Sequence, residues 1–344
     1  MGTEQLTFTK AELLATHDVT EPLVAGGILC HGGFDTDGRY VSPRTKHRSP
    51  AITAWQDAHR ERFGTAPLGV ALETWPEHYP NVAQARYLLS EGIGDLLALT
   101  LTRIGTVEGF GAMVRHLPVP DFRATLADDV AGTALAHLDR GLFEAHARDE
   151  AGYESEGGHR EMWWAARDLA FEYPELPDQT DVMRRRMAMN QQNEYERVLP
   201  DDVAIDMELL AERMTRILLI EIQAFHTFAW AEALLSDSEL VAGDGAAGRL
   251  VACVRADETP HVGYLKTALT ELRDRTWLGD SGRRYVGADM IGCIWDRALR
   301  ESMTTRYEAN RRVVQADLEQ ILDGRPRAAD IAHRFHELEN GAAG

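Results

Sequence analysis

The stretch that begins at residue 217 constrains the fold more than any other. It reads ILLIEIQAFHTFAWAEALLSD, then a glycine-rich break, then RLVACVRADETPHVGYLKTAL. Apolar residues recur at three-to-four spacing on both sides of the break, which predicts an antiparallel helix pair over about 204–273. Inside the apolar pattern stand Glu221, Glu258 and His261. A buried carboxylate is costly unless it is paired or holds a metal. Glu258 and His261 are three apart and share one helix face. Pro260 lies between them, where a helix-interior proline costs about 3 kcal/mol and bends the helix. Such strain fits a functional position better than a purely structural one.

A second hairpin is expected upstream. NVAQARYLLSEGIGDLLALTLTRIGTVEGFGAMVRH carries the helical period, HLPVP breaks it, and Asp121 can cap a returning helix through residue 150. Residues equally far from a turn lie level across a helix pair. Glu221 and Glu258 have their midpoint in the break 236–248, and Glu91 and Glu144 have theirs near the break at 118. By the same count Glu108 is level with Asp128, in a polar stretch, so Glu91 is preferred to Glu108. The two hairpins, 81–150 and 204–273, form a candidate internal repeat. Around them, residues 1–80 read as an arm with a short helix capped by Thr9 and Glu12, a short strand near Arg39–Val41 and a helix over 51–63. The locally basic RYVSPRTKHR is expected to lie over an acidic bundle, with Arg44, Lys46 and Arg48 as its available cations. Residues 178–205 read as an exposed helix or lid. A long helix over 285–324 and a short one over 327–339 complete an all-α bundle spanning 81–344.

Composition narrows the partners. A net charge of −19 argues against nucleic acid, whose phosphates need clustered cations. Cys30, Cys253 and Cys293 are far apart and make neither a disulfide framework nor a thiolate metal site, which fits a reducing cytoplasm. No cationic, apolar leader opens the chain, and no uninterrupted apolar run of about 18 residues predicts a membrane span.

RADETPH, with the Glu221 helix before it, resembles the ferritin-like di-iron carboxylate superfamily, and within it the arylamine N-oxygenase type. The likeness extends more loosely over residues 85–275. It implies a ferritin-like helical bundle with an N-terminal arm and extra C-terminal helices. Its pattern of Glu, Glu-x-x-His, Glu, Glu-x-x-His implies metal ligands at Glu91, Glu144, His159, Glu221, Glu258 and His261, with Glu221 and Glu258 nearest the chemistry. The first half departs from the pattern: Ala147 stands three residues after Glu144, and His146 only two. Either His159 folds back beside Glu144 after the break at 152–158, which is the preferred reading, or Glu156-x-x-His159 is itself the pair. The resemblance implies two iron ions (manganese or a mixed pair also fits the donor set), dioxygen as co-substrate, and N-oxygenation or hydroxylation of a small organic molecule. An external reductase or electron donor is then required, because the chain shows no flavin or nicotinamide fingerprint. The long C-terminal helix offers a surface for a homodimer. Two rivals stand beside this reading. One is a heme-oxygenase-like di-iron oxidase, in which His137 and Glu144, seven apart, would form a ligand pair. The other is a helical binding or scaffold protein whose buried charges are only ion-paired.

Overall fold

A computed structural model describes residues 6–176 and 195–340. The expected lid falls mostly on 177–194, outside the described residues. The protein is mostly helical. The N-terminal arm opens with α1 (Lys10–Leu13), capped by Thr9 and Glu12 as the sequence predicts. Three short strands follow, β1 (Glu21–Ala25), β2 (Ile28–Phe34) and β3 (Tyr40–Val41), paired antiparallel in that order. The helix α2 (Arg48–Phe63) stops at Gly64, whose φ of 68° is the left-handed cap that glycine adopts at low cost.

The bundle consists of α3 (Val82–Ser90), α4 (Asp95–Gly111), α5 (Phe122–Thr125), α6 (Phe143–Ala151), α7 (His159–Phe171), α8 (Ile205–Leu235), α9 (Ala246–Asp257) and α10 (Thr259–Arg273). A hairpin of β4 (Thr276–Leu278) and β5 (Arg284–Val286) leads to α11 (Gly287–Glu301), α12 (Tyr307–Leu322) and α13 (Ala328–Asn340). The predicted single C-terminal helix is α11 and α12 joined through a π-helical turn, Ser302–Arg306.

The upstream hairpin differs from expectation. The return helix does not run from 121 to 150. After the four-residue α5 the chain follows turns to a π-helical turn at Leu138–Leu142, where Gly141 has φ 148°, and only then enters α6. Backbone groups in this region find partners elsewhere: Ala127 N–H donates to the Thr276 carbonyl, and Ala134 and Leu135 donate to the Glu271 carboxylate. Those tertiary bonds replace the helical ladder that local propensity favours.

Two apolar clusters form the core. One gathers Met214, Leu218, Leu265, Leu269 and Ile294 with Trp55 and Phe143. The other gathers Leu97, Leu101, Trp163, Phe228, Val254 and Phe335. Along α8 the chain passes from the first to the second between Ile222 and Phe228, and along α9–α10 from the second to the first between Val254 and Tyr264. Polar side chains occupy that seam. Helix α8 has the length and apolar content of a membrane span, but Glu208, Glu212 and Glu221 are buried within the bundle along it.

Candidate metal centre

Five helical elements bring carboxylates and imidazoles to the seam. Helix α8 supplies Glu221, and the α9–α10 junction supplies Glu258 and His261. Helix α6 supplies His146 and Glu150, one turn apart, and the first residue of α7 is His159. Helix α4 supplies Glu108. A tight turn over 152–158 carries the chain from Glu150 back to His159. Gly152 there has φ 76°, and a Cβ on Gly158 would fall 2.3 Å from the Gly152 nitrogen, so the reversal requires glycine. Close approach of α4 to α7 has a similar basis, since a Cβ on Gly105 would lie 2.9 Å from the Arg160 carbonyl.

His146, Glu150, His159, Glu258 and His261 are at most 1% exposed and Glu221 is 7% exposed. Two overlapping groups share Glu150 and His261: His146, Glu150, Glu221 and His261 form one, and Glu150, His159, Glu258 and His261 the other. Within each group the donor atoms lie within 4.8 Å of one another. Each histidine turns one nitrogen inward. His146 Nε2 is 3.3 Å from Glu150 and 3.5 Å from Glu221. His159 Nδ1 is 2.9 Å from Glu258, and His261 Nδ1 is 2.6 Å from Glu258 and 3.3 Å from Glu150.

The opposite nitrogens meet an outer layer. His261 Nε2 lies 2.9 Å from Asp149, His159 Nε2 lies 3.6 Å from Asp257, and His146 Nδ1 lies 3.0 Å from the Tyr264 hydroxyl. Asp149 in turn accepts from Arg44 at 2.5 Å and Arg48 at 2.7 Å. Asp257 accepts from the Tyr40 hydroxyl at 2.9 Å and lies 3.0 Å from His31 Nε2. Arg44 Nη2 approaches His31 Nδ1 at 3.0 Å, so the arm links the two aspartates. Arg44 holds a left-handed backbone at φ 51°, a strained choice for a side-chain-bearing residue. The basic segment of the arm does lie on the acidic bundle, with Arg44 and Arg48 buried inside it.

Burial and crowding polarise these groups. Burial, then the carboxylates of Glu258 and Glu150, pushes Glu221 well up, and burial with Glu150 does the same to Glu108. Burial opposes the charge of Glu258 as well, but His159 and His261 outweigh it and hold that carboxyl at about 2. Burial would also discharge His159 and His261, yet the surrounding carboxylates raise both.

Of the residues singled out from sequence, the structure brings together His159, Glu221, Glu258 and His261. It does not bring Glu91 or Glu144 to them. Glu91 ends α3 and pairs with Arg327 at 3.1 Å. Glu144 pairs with Arg148 at 2.7 Å and Arg115 at 3.5 Å, and although burial raises its carboxyl those arginines bring it below its usual range. The level-height count fails because residues 126–142 do not form an α-helix: turns, a 3-10 turn at Leu135–His137 and the π-helical turn at Leu138–Leu142 replace it. Glu108, the alternative set aside, is half-buried on α4 and lies in the field of Glu150 and Glu258, outside the two groups of converging donor atoms. His159 does fold back, but beside Glu150. Glu156 is exposed, and His137 bonds the Thr133 carbonyl and the Phe8 amide. Pro260 lies in the first turn of α10, where a missing N–H costs little, and not in a helix interior. His146, Glu150 and Asp149 were missed. Their signal was a repeated dipeptide: Asp149-Glu150 in HARDE answers Asp257-Glu258 in RADE.

A cavity of about 320 Å³ adjoins the cluster at Glu108, between α4, α8, α12 and the loop before α3. Ile104, Trp163 and Phe228 line it, with Trp163 stacked on Phe228 at 5.7 Å. Comparison of the chain with family models, with curated proteins and with solved structures finds no match.

Proposed function

We propose that the protein is a non-haem dimetal oxidase or oxygenase, with iron as the expected metal, that uses dioxygen to oxidise a small organic substrate. The observation that carries this reading is the convergence of Glu150, Glu221 and Glu258 with three imidazoles in one buried space, with Glu108 of α4 half-buried beside Glu150. The donor atoms suit a metal better than they suit one another. Both carboxylate oxygens of Glu150, one of Glu258 and both nitrogens of His159 lack a hydrogen-bond partner although fully buried. Ion-pair distances without hydrogen-bond geometry mean that these atoms face a common point. Buried polar atoms are rarely left so, and hard oxygen donors with imidazole suit iron or manganese.

Glu108, His146, Glu150, His159, Glu221, Glu258 and His261 would hold the pair. Bound there, two redox-active ions would supply the electron transfer to dioxygen and the oxidation of substrate. The chain supplies the rest. Asp149 fixes which nitrogen of His261 faces inward, and the Tyr264 hydroxyl does so for His146. Trp163, Phe228 and Ile104 exclude water from the substrate side. Glu108 borders both the cluster and the cavity, where it can hold or pass a proton. Delivery of ligands from helices on both sides of a seam supports a ferritin-like arrangement. The alternative built on His137 and Glu144 finds neither residue near the cluster.

Anaerobic reconstitution with ferrous iron tests the reading. About two equivalents should bind, and Glu258→Ala should abolish binding with the helical circular dichroism retained. Less than one equivalent of iron or manganese in the wild-type protein would overturn it.

A further inference from the structure

Arg44 stands between the two outer aspartates, and its bonds fix more than their positions. Its Nε donates to Asp149 at 2.5 Å and its Nη2 to His31 Nδ1 at 3.0 Å. A guanidinium only donates, so His31 Nδ1 accepts and the ring proton sits on Nε2. That N–H points at Asp257, 3.0 Å away. His31, His159 and Asp257 are at most 1% exposed, and they place three donor atoms within 4.8 Å of one another. His159 Nε2 lies 3.6 Å from Asp257, and the Tyr40 hydroxyl lies 2.9 Å from the same oxygen. Metal–ligand bonds of about 2.0 Å give a tetrahedron edges of roughly 3.3 Å, and these spacings fall around that value. His159 Nε2 and Asp257 Oδ1 have no hydrogen-bond partner although fully buried. Two imidazoles, a carboxylate and a phenol are thus gathered at the edge of His159 opposite to Glu258. A Cβ on Gly32 would strike the Tyr40 hydroxyl, so glycine there leaves the phenol its place.

We propose that Arg44 closes this group of His31, His159 and Asp257 to a divalent cation and so limits the buried centre to two ions. The proposal rests on the dimetal reading for the number two. Two effects act together. A metal needs the Nε2 lone pair of His31, which is free only when the proton moves to Nδ1, and there it would meet the Arg44 N–H head-on. The guanidinium also sets a full positive charge against the ring, and in a dry interior that charge repels a second cation strongly. Arg48 does not duplicate this role: it holds Asp149 at 2.7 Å, and its other partner is the Pro43 carbonyl. The left-handed backbone of Arg44, at φ 51°, is the strained choice that brings one guanidinium to both Asp149 and His31. Without Arg44, His31 is free to turn a lone pair to the group. His159 then bridges as an imidazolate, one ion on each nitrogen, and its remaining proton leaves to solvent.

The test is calorimetric titration of the full-length, metal-free protein with cobalt(II), with elemental analysis after desalting and circular dichroism to confirm folding. Arg44→Met should bind one equivalent more than wild type. Arg44→Met combined with His31→Ala should lose that equivalent. Arg48→Met, which takes the other guanidinium from Asp149 and leaves His31 untouched, should not gain one. A second measurement needs no variant to fold: nitrogen-15 resonance of the wild-type His31 ring, assigned from its backbone, should show Nε2 protonated and Nδ1 bare. No gain in folded Arg44→Met, a gain that survives the loss of His31, an equal gain in Arg48→Met, three ions in wild type, or a His31 proton on Nδ1 would each overturn the proposal. Two ions in wild type with no gain in Arg44→Met overturn the exclusion by Arg44 alone. A gain of one ion in Arg44→Met over a wild type that binds less than one sustains the exclusion and overturns the dimetal reading.

Discussion

Asp149 is the residue whose replacement tests the outer layer most directly. It is fully buried and accepts from Arg44 at 2.5 Å and Arg48 at 2.7 Å while facing His261 Nε2 at 2.9 Å. Asp149→Asn keeps the volume, removes the negative charge and turns an amide N–H₂ toward groups that already donate. Breaking a buried ion pair from one side costs about 3–5 kcal/mol, because the abandoned charge stays desolvated. Two guanidiniums share Asp149, so the loss belongs in the upper half of that range. Burial would raise the Asp149 carboxyl, but Arg44, Arg48 and His261 hold it well below its usual range. Its contribution is therefore complete above the unfolded-state pKa of about 3.9 and lost only as pH falls below it, so neutral pH reveals the full effect. Urea unfolding of the metal-free variant and wild type at pH 7 gives the number. Metal titration gives a second: loss of the group that orients His261 should weaken binding roughly 10–100-fold. A loss below about 1 kcal/mol in the metal-free protein would refute the argument, since it would mean that the two arginines find water or other partners when Asp149 is neutralised.

Other outcomes separate the centre from its surroundings. Glu91→Gln and Glu144→Gln should each leave metal content unchanged and cost under about 1 kcal/mol in urea unfolding, because both are partly solvated ion pairs. His159→Ala and Glu150→Ala should lose metal, measured by elemental analysis, while Glu156→Ala retains both ions. Pro260→Ala should change stability by less than about 1 kcal/mol, since the proline occupies the first turn of α10; stabilisation near 3 kcal/mol would mean that it does break a helix interior. Burial raises the Glu271 carboxyl to about 7. The folded state thus binds a proton that the unfolded chain releases near 4.5, and stability should fall by roughly 3 kcal/mol as pH rises from 4.5 past 7. Denaturation across that range should show a decline smaller in Glu271→Gln than in wild type by roughly 3 kcal/mol, the remainder belonging to Glu221 and Glu108.

The second half of the centre was legible because α8 and α9–α10 are long and nearly continuous. An acid or imidazole inside such an apolar pattern has no local explanation, and counting from the turn places it. The first half resisted the same method for a reason in its backbone. Residues 126–142 take their hydrogen bonds from the Thr276 carbonyl and the Glu271 carboxylate, well over a hundred positions away, and no local rule shows that. Glu91 misled because Leu88, one turn before it, is buried, while Glu91 itself ends α3 and its side chain turns outward to Arg327. The arm was legible in charge but not in depth: Arg48, expected on the surface of an acidic bundle, is wholly inside it.

The two Asp-Glu pairs are wired crosswise. Asp149 hydrogen-bonds the histidine that follows Glu258, and Asp257 stands 3.6 Å behind the histidine that follows Glu150. Each half therefore contributes side chains to the buried cluster and also an aspartate placed behind a histidine of the other half. A fragment carrying only α8–α10 would present His261 without its brace, and one carrying only α4–α7 would do the same to His159. If the two hairpins descend from one ancestral unit, that unit had to work as a pair before it was joined in one chain, because a single copy could not have aimed its own histidine.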